Sequence, residues 1–438
     1  MQGFPFQTAL LALACFALPA AAQTVSPCPA GLDTVARCYR GADANGANYW
    51  IAIPQQWNKT LVVHAHGGPR MSHATNDNNV EDLERFAVTV KQGYAWAGSA
   101  YRRPGYGVKL AAEDTENLRQ LFIAKFGQPR TTILHGQSWG GNIAAKAIEL
   151  YPRDKEGKAN YDGVVLTNGM LAGGTRNYLH RADLRAVYQY YCGNHPRADE
   201  AQYPLWMGLP ADADLKNKDL EARVDACLGL KQPAATRTPE QRRKLANILA
   251  VVRIPERSLQ SHLNWATFTF RDLVQRIGQG NPFDNRHVLY RGSDDDAALN
   301  RGVQRFDAAP AAVAALADES DLTGKVDVPV LTLHAIDDPV ALVEYENEYR
   351  ERLRAAGRDD RLLQVFTRED EHSKLSDAEY AGVFDTLSAW IASGKRPTVA
   401  DVDAACAQAD ARFKGGCHID PQYQPAPLFS RVAPRSQP

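Results

Sequence analysis

The chain has 438 residues, room for one large domain or two ordinary ones, and its 44% hydrophobic and 23% charged residues are those of a globular protein. With 50 Lys and Arg against 51 Asp and Glu, the net charge is −1. That balance excludes an electrostatic footprint for nucleic acid or an anionic membrane and leaves a small-molecule or short-peptide substrate as the expected partner.

Residues 1–22 carry no acidic or basic side chain; an apolar run over 9–17 is followed by Pro19-Ala20-Ala21-Ala22, a small-residue cleavage site. They predict a signal peptide, although no Lys or Arg precedes the run, and hence a secreted or periplasmic protein. The run is too short to span a bilayer. Cys15 falls within this leader. The other cysteines, Cys28, Cys38, Cys192, Cys227, Cys406 and Cys417, are an even set in an exported chain, and a disulfide framework follows. Sequence leaves several connectivities open; the local pairs 28–38, 192–227 and 406–417 are the ones expected. No Cys/His spacing suits a metal.

Strand patterns cover 48–54, 60–66 and 95–101, with a helical pattern over 80–92 between the last two. A second helix is expected over 113–126, then a strand over 131–135, a helix over 142–150 and a strand over 163–168. From 170 to about 323 the alternation stops, and a stretch containing Tyr178, Tyr188, Tyr190, Tyr191, Trp206 and Trp265 reads as helices joined by long loops. It then resumes as strand 328–336, helix 343–356, strand 362–367 and helix 378–393. Alternating strands and helices predict an α/β class: a mostly parallel central sheet with helices on both faces. The core spans 23–169 and 324–396, with 170–323 an inserted lid or cap and 397–438 a disulfide-tied C-terminal tail. An insertion at the carboxyl edge of such a sheet lies where ligands bind.

The strand 131–135 runs into Gly136-Gln137-Ser138-Trp139-Gly140-Gly141 and then a helix. Strand, Gly-x-Ser-x-Gly and helix in that order describe a nucleophile elbow, with Ser138 the nucleophile. A serine hydroxyl needs a base within hydrogen-bond reach, itself oriented by a carboxylate, and the chain order expected is serine, acid, histidine. Asp338, in Asp337-Asp338-Pro339 after strand 328–336, is the candidate acid; Asp337 is its rival. His372, the one histidine between Asp338 and the tail, is the candidate base, and Glu369, Asp370 and Glu371 beside it are expected to favour its imidazolium. For the oxyanion, the N–H of Trp139 and that of Gly68, or alternatively Gly67, in His66-Gly67-Gly68-Pro69 are the candidate donors. No cofactor or metal is required. Asp294-Asp295-Asp296 lacks the spacing of a calcium loop, and with Asp199-Glu200 it reads as a solvated acidic surface.

Taken together these segments resemble the α/β-hydrolase superfamily from about residue 49 to 394, with the insertion as its lid. His66-Gly67-Gly68-Pro69, Tyr101-Arg102-Arg103-Pro104-Gly105-Tyr106-Gly107 and the elbow are similar to the catalytic domains of prolyl oligopeptidase-type and proline iminopeptidase-type serine peptidases. Arg70 replaces a further glycine of the iminopeptidase pattern, and Glu371 stands where a glycine often precedes the histidine. The resemblance implies a Ser-Asp-His triad and an acyl-enzyme. Cleavage of a carboxylic ester is the first expectation, of short peptides the second, and a catalytically inactive binding protein on the same fold the third.

Overall fold

The computed structural model describes residues 24–73, 75 and 79–435. The expected leader, with Cys15, lies outside them. The strands in chain order are β1 (Thr24–Ser26), β2 (Ala36–Ala42), β3 (Asn48–Pro54), β4 (Thr60–Ala65), β5 (Ala95–Ser99), β6 (Thr131–Gln137), β7 (Gly163–Thr167), β8 (Val330–Ala335) and β9 (Leu362–Thr367). They form one sheet in the order β1-β2-β3-β5-β4-β6-β7-β8-β9. β1 to β3 are antiparallel to their neighbours, and every pair from β5 to β9 is parallel. This mostly parallel sheet with one antiparallel edge and a β5-β4-β6 crossover is the α/β-hydrolase fold that the resemblance implied.

Side chains alternate across the sheet, so each parallel strand feeds two cores. Leu61, Val63, Leu134, Val164 and Leu166 point to one, packed against α3 (Val108–Phe126) and α4 (Trp139–Leu150). Val62, Trp96, Ile133, Val165, Leu331 and Leu333 point to the other. That face is covered by α1 (Val80–Arg85) and α2 (Ala87–Lys91), and by the last helix of the core, residues 377–393. The expected single helix over 80–92 is thus two, parted at Phe86, whose backbone leaves the helical region (φ −106°, ψ 23°) and whose ring meets His135 edge-on.

After β7 the chain leaves the sheet through α5 (Gly174–Asn177), α6 (Leu179–Cys192), α7 (Asn217–Leu228), α8 (Pro239–Val252), α9 (Leu259–Asn264), α10 (Phe270–Ile277), α11 (Asp296–Gly302) and α12 (Pro310–Ser320). It returns as β8, the neighbour of β7. Then follow α13 (Tyr345–Ala355), β9, α14 (Asp377–Ser393) and α15 (Val399–Phe413). α15 lies in the expected disulfide-tied tail, for which no helix was singled out from sequence. Thr398 caps it and Asp401 returns the bond, a capping box, and Gly382 of α14 packs against the backbone of Cys406. The three disulfides join Cys28 to Cys38, Cys192 to Cys227 and Cys406 to Cys417, the expected local pairs. Among the described residues no helix is long and apolar enough to cross a membrane.

Two glycines make the turn after β6 possible. A Cβ on Gly140 would lie 2.0 Å from the Ala65 carbonyl oxygen, and one on Gly136 2.1 Å from the Gly140 carbonyl oxygen. Neither neighbour is a side chain that could swing away. Gly140→Ala is therefore expected to cost about 3 kcal/mol, through the backbone shift that overpacking forces, read as a lowered midpoint in urea or thermal unfolding.

Candidate active site

Ser138 sits between β6 and α4 with φ 60° and ψ −125°, a conformation that a residue with a Cβ adopts only when its surroundings impose it. The imposing contacts are those of Gly136 and Gly140 just described, together with Ser138 N–H donating to the Thr167 carbonyl at 3.0 Å. Trp139 opens α4, so its N–H has no intrahelical acceptor.

The structure brings the three sequence-predicted side chains into one line. Ser138 Oγ and His372 Nε2 are 2.7 Å apart, and His372 Nδ1 lies 2.8 Å from Asp338 Oδ2 and 3.0 Å from Oδ1. Because Asp338 accepts, Nδ1 carries the proton and Nε2 is left to receive the serine O–H. Asp338 is 2% exposed. Its Oδ1 also accepts from the N–H groups of Val340 and Ala341, at 2.7 and 2.9 Å, which fixes the carboxylate in its loop. Asp337, the rival, is exposed and points its N–H to the Glu369 carbonyl instead.

The acidic neighbours of His372 do not crowd the imidazole as expected. Asp370 pairs with Arg257 at 2.6 Å, Glu369 accepts from Ser376 N–H at 3.0 Å, and Glu371 is exposed. What orients the histidine loop is a pair of amides. Gln137, the variable residue of the elbow, donates to the His372 carbonyl at 2.9 Å. Asn168, at the end of β7 with φ 44°, donates to the carbonyls of His372 and Glu371 at 2.7 and 3.1 Å and accepts from Ala335 N–H at 2.8 Å. Asn168 was not singled out from sequence; an Asn immediately after a buried strand, able to take a left-handed backbone, was the available signal.

The loop after β4 lies against the elbow: a Cβ on Gly67 would sit 2.9 Å from the Gln137 carbonyl and 3.3 Å from Ser138 Cβ, whereas Gly68 is open and has φ 69°. His66 anchors this loop. Its Nδ1 bonds the buried Asp82, and its carbonyl accepts from Tyr101 Oη at 3.0 Å. Burial alone would push the Asp82 carboxyl up, but His66 and His64 hold it well below the usual range. The Tyr101–Gly107 motif thus has a supporting task, for Gly105 N–H also bonds the Arg70 carbonyl and the Tyr106 ring lies 5.7 Å from that of Trp139.

A cleft of about 370 Å³ opens on Ser138 and His372, walled by His66 to Pro69, Arg70, Glu81, Arg85, Trp265 and Val340. Glu81 pairs with Arg85 and lies 4.0 Å from Arg70. Of the aromatic residues expected to serve the site, Trp265 alone lines this cleft; it belongs to a π turn between α9 and α10 and stacks on Tyr178, with ring centroids 4.4 Å apart. Tyr178 and Tyr188 are buried in the core instead. The fully buried Arg181 lies over Trp265, 4.7 Å from the ring, and donates to His262 Nδ1 at 3.1 Å. Burial, then Arg181, holds His262 well below the usual histidine range, so it is neutral and its Nε2–H donates to the Pro339 carbonyl at 2.9 Å.

Three larger cavities, of about 590, 520 and 460 Å³, contain none of Ser138, His372 and Asp338; chemistry rather than volume marks the site. Asp294 pairs with Arg243, Asp295 caps α11, Asp296 binds Ser293, and Glu200 pairs with Arg223, so each acidic cluster is occupied locally.

No family model matches the chain. A curated relative, the o-phthalyl amidase of Xanthobacter agilis, is 25% identical over 215 residues, 47% of this chain and 44% of that protein. The match therefore spans less than half the relative's length. Among solved structures, Candida antarctica lipase A is 12% identical with a TM-score of 0.45, covering 87% of this chain and 83% of that one. The rice cell wall degrading esterase LipA of Xanthomonas oryzae is 13% identical with a TM-score of 0.38, covering 76% and 83%.

If Asn168 holds the loops of His372 and Asp338 in register, Asn168→Ala misplaces the imidazole by a fraction of an ångström. The expected outcome is a roughly 100-fold slower reaction of Ser138 with a fluorophosphonate, measured as a labelling rate, with an unchanged far-ultraviolet circular dichroism spectrum.

Proposed function

We propose that the protein is an exported serine hydrolase that cleaves a carboxylic ester through an acyl-enzyme. The observation that carries this reading is the hydrogen-bonded line from Ser138 Oγ through His372 to Asp338, open to a cleft at the Ser138 end. Ser138 Oγ attacks the carbonyl carbon while its proton passes to His372 Nε2. The tetrahedral oxyanion is held by the N–H groups of Trp139 and Gly68, already fixed in place before the reaction. Collapse expels the alcohol, which takes the proton from Nε2. Water then enters, gives a proton to Nε2, attacks the acyl carbon and releases the acid, restoring Ser138. Asp338 keeps the Nδ1 proton in place throughout. The insertion caps the site through Trp265, an apolar face for the acyl or alcohol group. Export is supported by the three disulfides.

Amide cleavage by the same machinery is the second reading, favoured by the amidase among the relatives. A peptidase of the aminopeptidase kind would need an acid facing the cleft to hold the substrate's amine. Glu81 is there, but its partner is Arg85.

Ser138→Ala is expected to lower kcat by about 10⁶ and to abolish fluorophosphonate labelling; wild-type protein that takes no label would instead be the inactive binding protein. Asp338→Asn, which keeps shape and reverses the histidine tautomer, is expected to cost ~10⁴ in kcat. A panel of p-nitrophenyl esters beside aminoacyl, prolyl and phthalyl anilides decides between ester and amide: turnover of anilides with negligible turnover of esters overturns the ester reading.

A further inference from the structure

Behind the loop that carries His372, three side chains from separate segments converge. Glu369 lies three residues before His372, Glu379 is in the first turn of α14, and His418 follows Cys417 in the carboxy-terminal segment. One donor atom of each lies within 4.8 Å of the others, with His418 Nδ1 3.6 Å from Glu369 Oε1 and 3.8 Å from Glu379 Oε1. These separations are too long for hydrogen bonds. They approach the edge, about 3.4 Å, of a tetrahedron whose N and O donors stand ~2.1 Å from a zinc ion.

Glu379 has no exposed surface. Its Oε1 accepts from Thr367 Oγ1 at 2.7 Å and from His418 N–H at 2.9 Å, while Oε2 is buried without a hydrogen-bond partner. Glu379, buried beside a second carboxylate, is a group that a bound cation would stabilise. The frame around them is already set. Arg368 N–H bonds the His418 carbonyl at 2.9 Å, Asp420 N–H the Phe366 carbonyl at 2.8 Å, and Ser376 Oγ the Gly416 carbonyl at 2.7 Å, beside the Cys406–Cys417 bridge.

We propose that Glu369, Glu379 and His418 form a divalent-cation site of the zinc class that fastens the His372 loop to the carboxy-terminal segment. An imidazole with two carboxylates suits a borderline ion better than calcium or magnesium, which favour oxygen donors throughout. The half-exposed His418 leaves the fourth position to water, and the ion takes no part in the chemistry at Ser138. The site stands independently of the hydrolase reading.

The test uses the full oxidised protein, stripped with EDTA and titrated with zinc chloride by calorimetry and thermal melting. One equivalent is expected to bind, raising Tm by about 4 °C at a free concentration 100-fold above Kd. His418→Ala removes a half-exposed side chain and leaves the fold intact; it is expected to abolish both responses, and Glu369→Gln to do the same. Wild-type protein that takes up no stoichiometric zinc overturns the proposal. A His418→Ala protein that binds zinc as tightly as wild type also overturns it, and a calcium response equal to that of zinc overturns the assigned class.

Discussion

The site depends on one close approach of two backbones. β4 and β6 are parallel neighbours with Ala65 opposite Gly136, so the loops that follow them leave the same edge of the sheet at the same height. The turn after β6 can close against the end of β4 only because Gly136 and Gly140 put no carbon between them. That contact drives Ser138 into its left-handed conformation, lifts its hydroxyl out of the sheet, and places Gly67 and Gly68 beside it. The cost of an unfavourable backbone at Ser138 is met by the parallel ladder below, where every residue of β4 is buried.

The remaining groups arrive on two further strands. β8 ends in the loop of Asp338 and β9 in the loop of His372, while β7, between β6 and β8, supplies no member of the line. Its contribution is Asn168, which bonds the ends of both loops and so transmits the register of the sheet to side chains that strand pairing cannot reach. Buried amide groups of this kind have few alternative partners, and a fully satisfied network rigidifies what it touches.

Strands β3 to β9 were legible because each is a short apolar run, and the elbow because its glycines mark a turn between strand and helix. Ser138, Asp338 and His372 followed from chain order, with burial separating Asp338 from Asp337. Other features were not readable in the same way. β2 has Arg37, Tyr39 and Arg40 in place of an apolar run, since it lies near the sheet edge with only the short β1 outside it. α4 begins three residues before the apolar pattern does, because glycines read as a turn also fit a helix start packed against Ala65 and Gly169. α15 is spelled in Ala and Asp, and only its Thr398–Asp401 box announced it. The acidic environment expected around His372 failed because sequence proximity says nothing of direction: Glu369 and Asp370 turn to partners elsewhere.

Arg181 and His262 belong to α6 and α9 of the insertion, yet their hydrogen bonds end on Pro339, next to Asp338. Swinging these helices outward would pull on the peptide that carries the acid and strip a buried guanidinium of a partner it has no water to replace. The insertion is therefore anchored at this edge like a roof beam rather than hung like a flap, with Trp265 held in the wall of the cleft beside Ser138.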